Sequence, residues 1–162
     1  MYHLLPQNLE LPKLQNPDLS MTLQSDSHSR FHRAFLGFPI GLQKHFKKIS
    51  IPVLFIDCCH FQSPHCDGRI IALTSRSGNG LTLLLAIGII PVENIDHISW
   101  FLQLCALHGI DLNCALFTDC GPLSSATGHL QTSTTLKLSP MFCLQHVIWN
   151  VCHEFSQRCG EK

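Results

Sequence analysis

Asp57 and Asp119 are the residues of this chain best placed to do chemistry. Each follows an apolar, β-favouring run: Ile51-Pro-Val-Leu-Phe-Ile56 before the first, Leu112 to Thr118 before the second. In α/β sheets, functional sites collect at the carboxyl ends of strands. If these two strands are neighbours, the carboxylates come within a few ångströms of each other. Two carboxylates that close do not both stay charged without a cation, and hard oxygen donors suit Mg²⁺ or Mn²⁺. A pair of such ions can activate water and stabilise the leaving oxygen in phosphodiester cleavage. The alternative is that each Asp caps the turn where the chain leaves the sheet, a common use of this residue.

Cys143-x-x-His146 is the second constellation. A thiolate and an imidazole one helical turn apart can both ligate Zn²⁺, but two ligands do not complete a structural site. By type alone, Cys59, His60, His65, Cys66 and His153 could supply the rest. The alternative is a buried Cys and a solvent-facing His at a helix start. Glu93 reads as support for a helix N-terminus. The chain shows no P-loop, dinucleotide fingerprint, G-x-S-x-G elbow or H-E-x-x-H motif.

The elements that must position these residues follow from periodicity. Ile51–Ile56 is a continuously apolar strand covered on both faces, with Asp57 at its carboxyl end. Arg69 to Ser75 is a second strand. Ser77-Gly-Asn-Gly80 turns it into a third, Leu81 to Ile90. Asn94 is an N-cap, and Ile98, Phe101, Leu102 and Cys105 form the apolar stripe of a helix that Gly109 ends. A fourth strand, Leu112 to Thr118, ends on Asp119. Gly121-Pro122 opens a short helix limited by Gly128, and a fifth strand is placed around Thr135 to Leu138. Leu144, Val147, Ile148, Val151 and Phe155 mark a last helix that should pack on the sheet. Residues 1–35 read as irregular, interrupted by Pro6, Pro12 and Pro17, with order beginning at Ile51. The fold class is α/β: a mixed sheet, three antiparallel strands first and parallel strands afterwards, with flanking helices.

The 162 residues suffice for one domain with a real core. Only 14% are charged and 45% are hydrophobic, which suits a chain that buries much of itself or presents apolar surface to missing neighbours. Net charge is zero, so overall composition gives no case for nucleic acid. The charge is uneven, however: Lys13, Arg30, Arg33, Lys44, Lys47 and Lys48 make residues 1–50 mildly basic, ahead of an acid-bearing core. Nine cysteines, an odd number, with no basic-then-apolar leader, argue against a secreted disulfide framework. The longest apolar run, Leu81 to Ile90, is too short to span a bilayer. The expectation is an intracellular chain with reduced cysteines and no membrane partner.

In order and spacing, these pieces resemble the Mutator-like (MULE) transposase domain, from about Leu36 to Asn150. Pro52-Val-Leu-Phe-Ile-Asp57-Cys-Cys-His60 is similar to the family's strand ending Asp-Gly-Thr-His, with Cys58-Cys59 in place of Gly-Thr. Gly68-Arg-Ile-Ile-Ala72 matches the strand after it. Asn79 to Asn94 resembles the long strand that closes on Glu-Asn, here Glu93-Asn94. Ser99-Trp100-Phe101-Leu102 is similar to the family's Ser-Trp-x-x-Phe-Leu helix, without the two residues between Trp and Phe. Phe117-Thr-Asp119-Cys-Gly121 resembles the strand of the second acid, and Phe142-Cys143-Leu-Gln-His146 with Asn150 the Cys-x-x-His helix.

The resemblance implies an RNase H-like fold over residues 36–162, truncated at its C-terminal end. It implies a DDE metal site in which Asp57 and Asp119 are the first two catalytic acids and ligands of Mg²⁺ or Mn²⁺. The family's third acid lies beyond the Cys-x-x-His helix, after a helical insertion, so this stretch alone should be inactive. Glu154, 35 positions after Asp119, is the one late acid besides Glu161. Intact relatives cut DNA at transposon ends and join it to target DNA in the nucleus, which makes DNA the expected partner and allows an oligomer. A non-catalytic, domesticated or decayed module that binds DNA or protein is the alternative. A zinc-stabilised structural domain is a third.

Overall fold

The computed structural model describes residues 15–16, 19–38, 50–63, 66–119, 121–133 and 138–160, and their side chains except those of 50, 61–63, 66–67, 131–133 and 155–160. Seven strands form one sheet: β1 (Ser20–Ser25), β2 (Phe31–Gly37), β3 (Ser50–Ser63), β4 (Cys66–Ser77), β5 (Thr82–Ile90), β6 (Ala115–Thr118) and β7 (Ser139–Phe142). Among the described residues three helices accompany them: α1 (Ile95–Leu107), α2 (Pro122–Ser133) and α3 (Leu144–Gly160). The strand order is β1-β2-β5-β4-β3-β6-β7. β3, β4 and β5 are an antiparallel meander. β6 then runs parallel to β3, and β7 parallel to β6. Three antiparallel strands followed by parallel strands reached through helices is the RNase H-like arrangement.

One face of the sheet carries the core. Leu54 and Ile56 of β3, Ile71 and Leu73 of β4, Ala86 and Ile90 of β5 and Leu116 of β6 are buried against Ile98, Phe101, Leu102 and Cys105 of α1. Leu123, Ala126 and Leu130 of α2 complete that cluster at helical spacing. Gly88 of β5 lets α1 come close: a Cβ there would lie 2.7 Å from Ile71 Cγ2 and 2.8 Å from Phe101 Cδ2. Asn94 caps α1, its Oδ1 accepting the His97 N–H at 2.9 Å. Gly109, at φ +82°, ends it, its N–H donating to Ala106 O while the Ile110 N–H donates to Cys105 O. β2 is tied to the same helix by Arg33, whose guanidinium lies 4.3 Å from the Trp100 ring centroid and whose NH1 donates to His97 Nδ1 at 3.2 Å.

Several expectations are corrected. The stretch read as irregular contains β1 and β2, an antiparallel hairpin that extends the sheet beyond β5. Its Asp26-to-Arg30 turn is organised by Asp26, which accepts the His28 and Arg30 N–H groups and pairs with the Arg30 guanidinium. β3 does not end at Ile56. It continues to Ser63, because β4 starts three residues later at Cys66 and the ladder closes with Ser63↔Cys66. Gly128 does not limit α2, which runs through it to Ser133. The strand expected at Thr135 to Leu138 falls mostly outside the described residues; the strand seen, β7, begins at Ser139 and holds Pro140 at the sheet edge, where proline is tolerated.

The last helix departs most. α3 forms where expected, but its apolar stripe does not pack on the sheet. Leu144 is 69% exposed, Ile148 54% and Val151 48%, with Trp149 at 67% beside them. Phe155 lies outside the described side chains. The helix starts after a single residue, Cys143, whose N–H donates to Thr118 O at 2.8 Å. That joint directs α3 away from its own sheet.

Candidate metal centre

The site begins with the register between β3 and β6. Val53 pairs with Ala115, Leu54 with Leu116 and Phe55 with Phe117. The ladder stops there, and Asp57 and Asp119 each lie two residues past its last pair. Side chains alternate along strands, so Asp57 shares a face with Phe55, and Asp119 with Phe117. The two phenyl rings confirm the pairing, stacked with centroids 5.3 Å apart. Asp57 therefore stands on the sheet face opposite α1 and α2, one step past the aromatic pair, and Asp119 follows the end of β6.

The two acids are held differently. Asp57 lies inside β3, flanked by Ala72 of β4, and not at the strand's carboxyl end as its apolar run suggested. Its Oδ1 accepts the Cys58 N–H at 2.8 Å, and the residue is exposed. Asp119 follows the last residue of β6 as expected. Its Oδ1 accepts the Gly121 N–H at 3.1 Å as the chain turns into α2. A Cβ on Gly121 would sit 3.1 Å from Asp119 Oδ2, so the absence of a side chain there gives the carboxylate its room.

Glu93 is the residue that sequence reasoning set aside. It sits two residues before α1, half-buried, and accepts a hydrogen bond from the Cys58 thiol. Burial first, then the negative charge of Asp119 and more weakly of Asp57, raise its carboxyl above the usual range; the Cys58 hydrogen bond and Arg69 pull the other way. The Cys58 thiol is itself pushed up to about 12, by burial first and then by Glu93. Glu93 thus feels both aspartates electrostatically. Its resemblance-bearing position in Glu93-Asn94 was the available signal. With Asn94, Asp96, Pro122, Ser125 and His129 it lines a crevice of about 630 Å³ between the N-termini of α1 and α2.

Among the described residues, no group of three or more His, Cys, Asp and Glu side chains is arranged to hold a metal ion. Asp57, Asp119 and Glu93 therefore do not form such a group. Cys143 and His146 are half-buried at the start of α3, and His146 Nδ1 is buried with no hydrogen-bond partner. Of the residues named with them by type, Cys59 and His60 are exposed on β3, and His153 is exposed further along α3. His65 and the Cys66 side chain lie outside the described residues. No helix among the described residues is long and apolar enough to cross a membrane.

No family model and no curated protein matches the chain. Among solved structures it is similar to the simian T-cell lymphotropic virus intasome in complex with the PP2A regulatory subunit B56 gamma. That match has a TM-score of 0.41 and 16% identity, over 56% of this chain and 31% of that one. It is also similar to the HTLV-2 integrase catalytic core domain in complex with magnesium, at a TM-score of 0.39 and 16% identity, over 68% of this chain and 74% of that one. The chain spans about a third of the intasome chain it matches. What its own strand order establishes is an RNase H-like mixed sheet in which β3 and β6 are parallel neighbours.

Proposed function

We propose that this chain is the core of a Mutator-like DNA transposase, descended from an enzyme that cuts and joins DNA strands with divalent cations. The observation that supports it most is the parallel pairing of β3 with β6, the strands that lead to Asp57 and Asp119. Two carboxylates in that relation offer hard oxygen ligands to Mg²⁺ or Mn²⁺, and their mutual repulsion is relieved when a cation lies between them. Bound there, such ions would supply water activation and charge stabilisation at a phosphodiester. Glu93 adds negative potential from the helix side. DNA is the partner this chemistry requires.

A second reading is favoured by one observation: no third His, Cys, Asp or Glu among the described residues joins the pair closely enough to complete a cage. A pair that holds a cation without completing catalysis would make the chain a non-catalytic DNA- or protein-binding module. One set of measurements separates the two. Mn²⁺ titration followed by electron paramagnetic resonance should show binding to the full chain, lost alike in Asp57→Asn and Asp119→Asn. Nicking of supercoiled plasmid in Mn²⁺ then identifies the transposase core, and binding without nicking the second reading. Equal Mn²⁺ affinity in the wild type and both variants removes the metal site altogether.

A further inference from the structure

The tip of the β1–β2 hairpin reaches past its pairing with the rest of the sheet. β2 pairs with β5 from Ala34 to Gly37, whereas β1 and β2 go on pairing to Ser25 and Phe31, with a register shift between Gln24 and Ser25. Phe35 anchors the paired half in the core at 2% exposed. Beyond it, side chains tie the tip to α1. Arg33 Nε donates to Gln24 Oε1 at 2.6 Å, its NH1 donates to His97 Nδ1 at 3.2 Å, and its guanidinium lies over the Trp100 ring. One arginine thus joins β1 and β2 to the first two turns of α1.

That joint depends on a protonation state. A guanidinium has donors only, so His97 Nδ1 must present its lone pair and the imidazole must be neutral. His97 is 8% exposed, and its ring centroid lies 5.2 Å from that of His32. A proton on Nδ1 would set two donors against each other and place an imidazolium beside the guanidinium. It would also put positive charge in the first turn of α1, where the helix dipole opposes it. Burial, then Arg33 and His32 of β2, work against that proton, while Asp96 of α1 favours it. Of the other elements at this corner, β1 contributes the neutral Gln24 and β5 has no titratable side chain from Thr82 to Ile90. α2 brings His129 to the crevice that Asp96 also lines.

We propose that the Arg33–His97 contact is a pH-released clamp, holding the hairpin tip to the start of α1 when His97 is neutral and letting it go when His97 is protonated. The unit that moves is small. Ala34 to Gly37 stay on β5, while Leu23 to Arg33 part from α1 and fray, because a two-stranded hairpin without a third partner is marginal in water. Release bares Trp100 and leaves His97 without its partner. The His97 N–H is capped by Asn94, next to Glu93, so acidity reaches the crevice between α1 and α2. The released imidazole takes its proton near its ordinary pKa of 6.5 and the clamped one at lower pH. The clamp is therefore complete above about pH 6.5 and is lost as pH falls below it.

Amide hydrogen exchange, read residue by residue on the full chain, tests the clamp without metal or DNA. The rates are corrected for the intrinsic pH dependence of exchange. One imidazole then allows opening of the tip to rise by up to about tenfold between pH 7.5 and 5.5. The rise should appear at the protected amides between Leu23 and Arg33 and not at Ile71 or Leu73 of β4. His97→Asn, whose side-chain oxygen still accepts from Arg33 and does not titrate, should abolish it. Arg33→Met, which removes the donor at the hairpin tip and leaves the core untouched, should open the tip already at pH 7.5. No rise beyond the intrinsic rate, an equal rise in His97→Asn, an equal rise at Ile71 and Leu73, or a tip in Arg33→Met as slow as the wild type at pH 7.5 would each overturn the proposal.

Discussion

Gly88→Ala is the substitution whose effect the structure fixes most tightly. Gly88 is not at positive φ, so alanine meets no backbone strain there. Relative to glycine it should even gain about 0.4–1 kcal/mol by restricting the unfolded chain. Against that gain stands the space. The new Cβ would lie 2.7 Å from Ile71 Cγ2, 2.8 Å from Phe101 Cδ2 and 3.2 Å from Phe101 Cε2. Carbon atoms settle at about 3.5–4.0 Å, so both neighbours must yield by roughly 0.7 Å or more. Neither has slack: Ile71 and Phe101 are both 0% exposed, and Phe101 is backed by Phe35, with ring centroids 5.7 Å apart. Overpacking of this kind costs about 1–3 kcal/mol. The net loss should be about 1–2 kcal/mol, a fall in Tm of roughly 2–8 °C for a chain of this size. Differential scanning calorimetry at one protein concentration measures it. Phe101→Leu removes the ring carbons that collide, so the double variant should lose at least about 0.5 kcal/mol less than the two single losses added together. A Gly88→Ala protein that melts at or above the wild type, or strictly additive losses, would refute the close approach of α1 to β5.

Other outcomes follow from single contacts. Asn94→Ala removes the acceptor of the His97 N–H and should cost about 1 kcal/mol, which Asn94→Asp should largely restore; equal melts for all three proteins would remove the cap. His97 is held below its ordinary pKa of 6.5 by burial first, then by Arg33 and His32, with Asp96 opposing. The unfolded chain therefore binds the proton first as pH falls, so stability present above about pH 6.5 is lost below it. Urea unfolding between pH 7.5 and 5.5 should show a steeper loss for the wild type than for His97→Gln. The Cys58 thiol, pushed up to about 12, should alkylate with iodoacetamide far more slowly than the exposed Cys59 at pH 8.5, and Glu93→Gln should speed it. Mass spectrometry of the labelled peptides decides both points.

What the sequence made legible were elements whose local chemistry and burial agree. The Ile51–Ile56 run, the Ser77–Gly80 turn, the Asn94 cap and the Gly109 stop all name their structures without tertiary help. Parallel pairing of β3 with β6 followed from the helix between them. The β1–β2 hairpin escaped because its strands are short and largely half-buried or exposed, so their pattern is weak; pairing with β5, far along the chain, is what orders them. The outer half of β3 escaped for the same reason: Cys58 to Ser63 is held by its ladder with β4, not by its own propensity. Glu93 could not be placed near Asp119 from spacing, since 26 positions separate them and only the sheet order closes that distance. The α3 stripe was legible as a helix face, but periodicity says that a face is apolar, not which surface meets it.

Asp57 sits within a strand paired on both sides, to β4 and to β6, and hydrogen-bonded well beyond it to Ser63. Asp119 stands just outside the ladder, in the turn where β6 gives way to α2. The two carboxylates therefore differ in what they can do when the distance between them has to change. Displacing Asp57 means breaking the ladder that joins β3 to β4 on both sides of it; displacing Asp119 means flexing one turn around Gly121. If the two acids hold a cation as proposed, any adjustment between them falls to the second acid while the first stays still. Amide exchange should report that asymmetry: slow and ion-independent at Asp57, faster at Gly121, and slowed there when the pair is bridged.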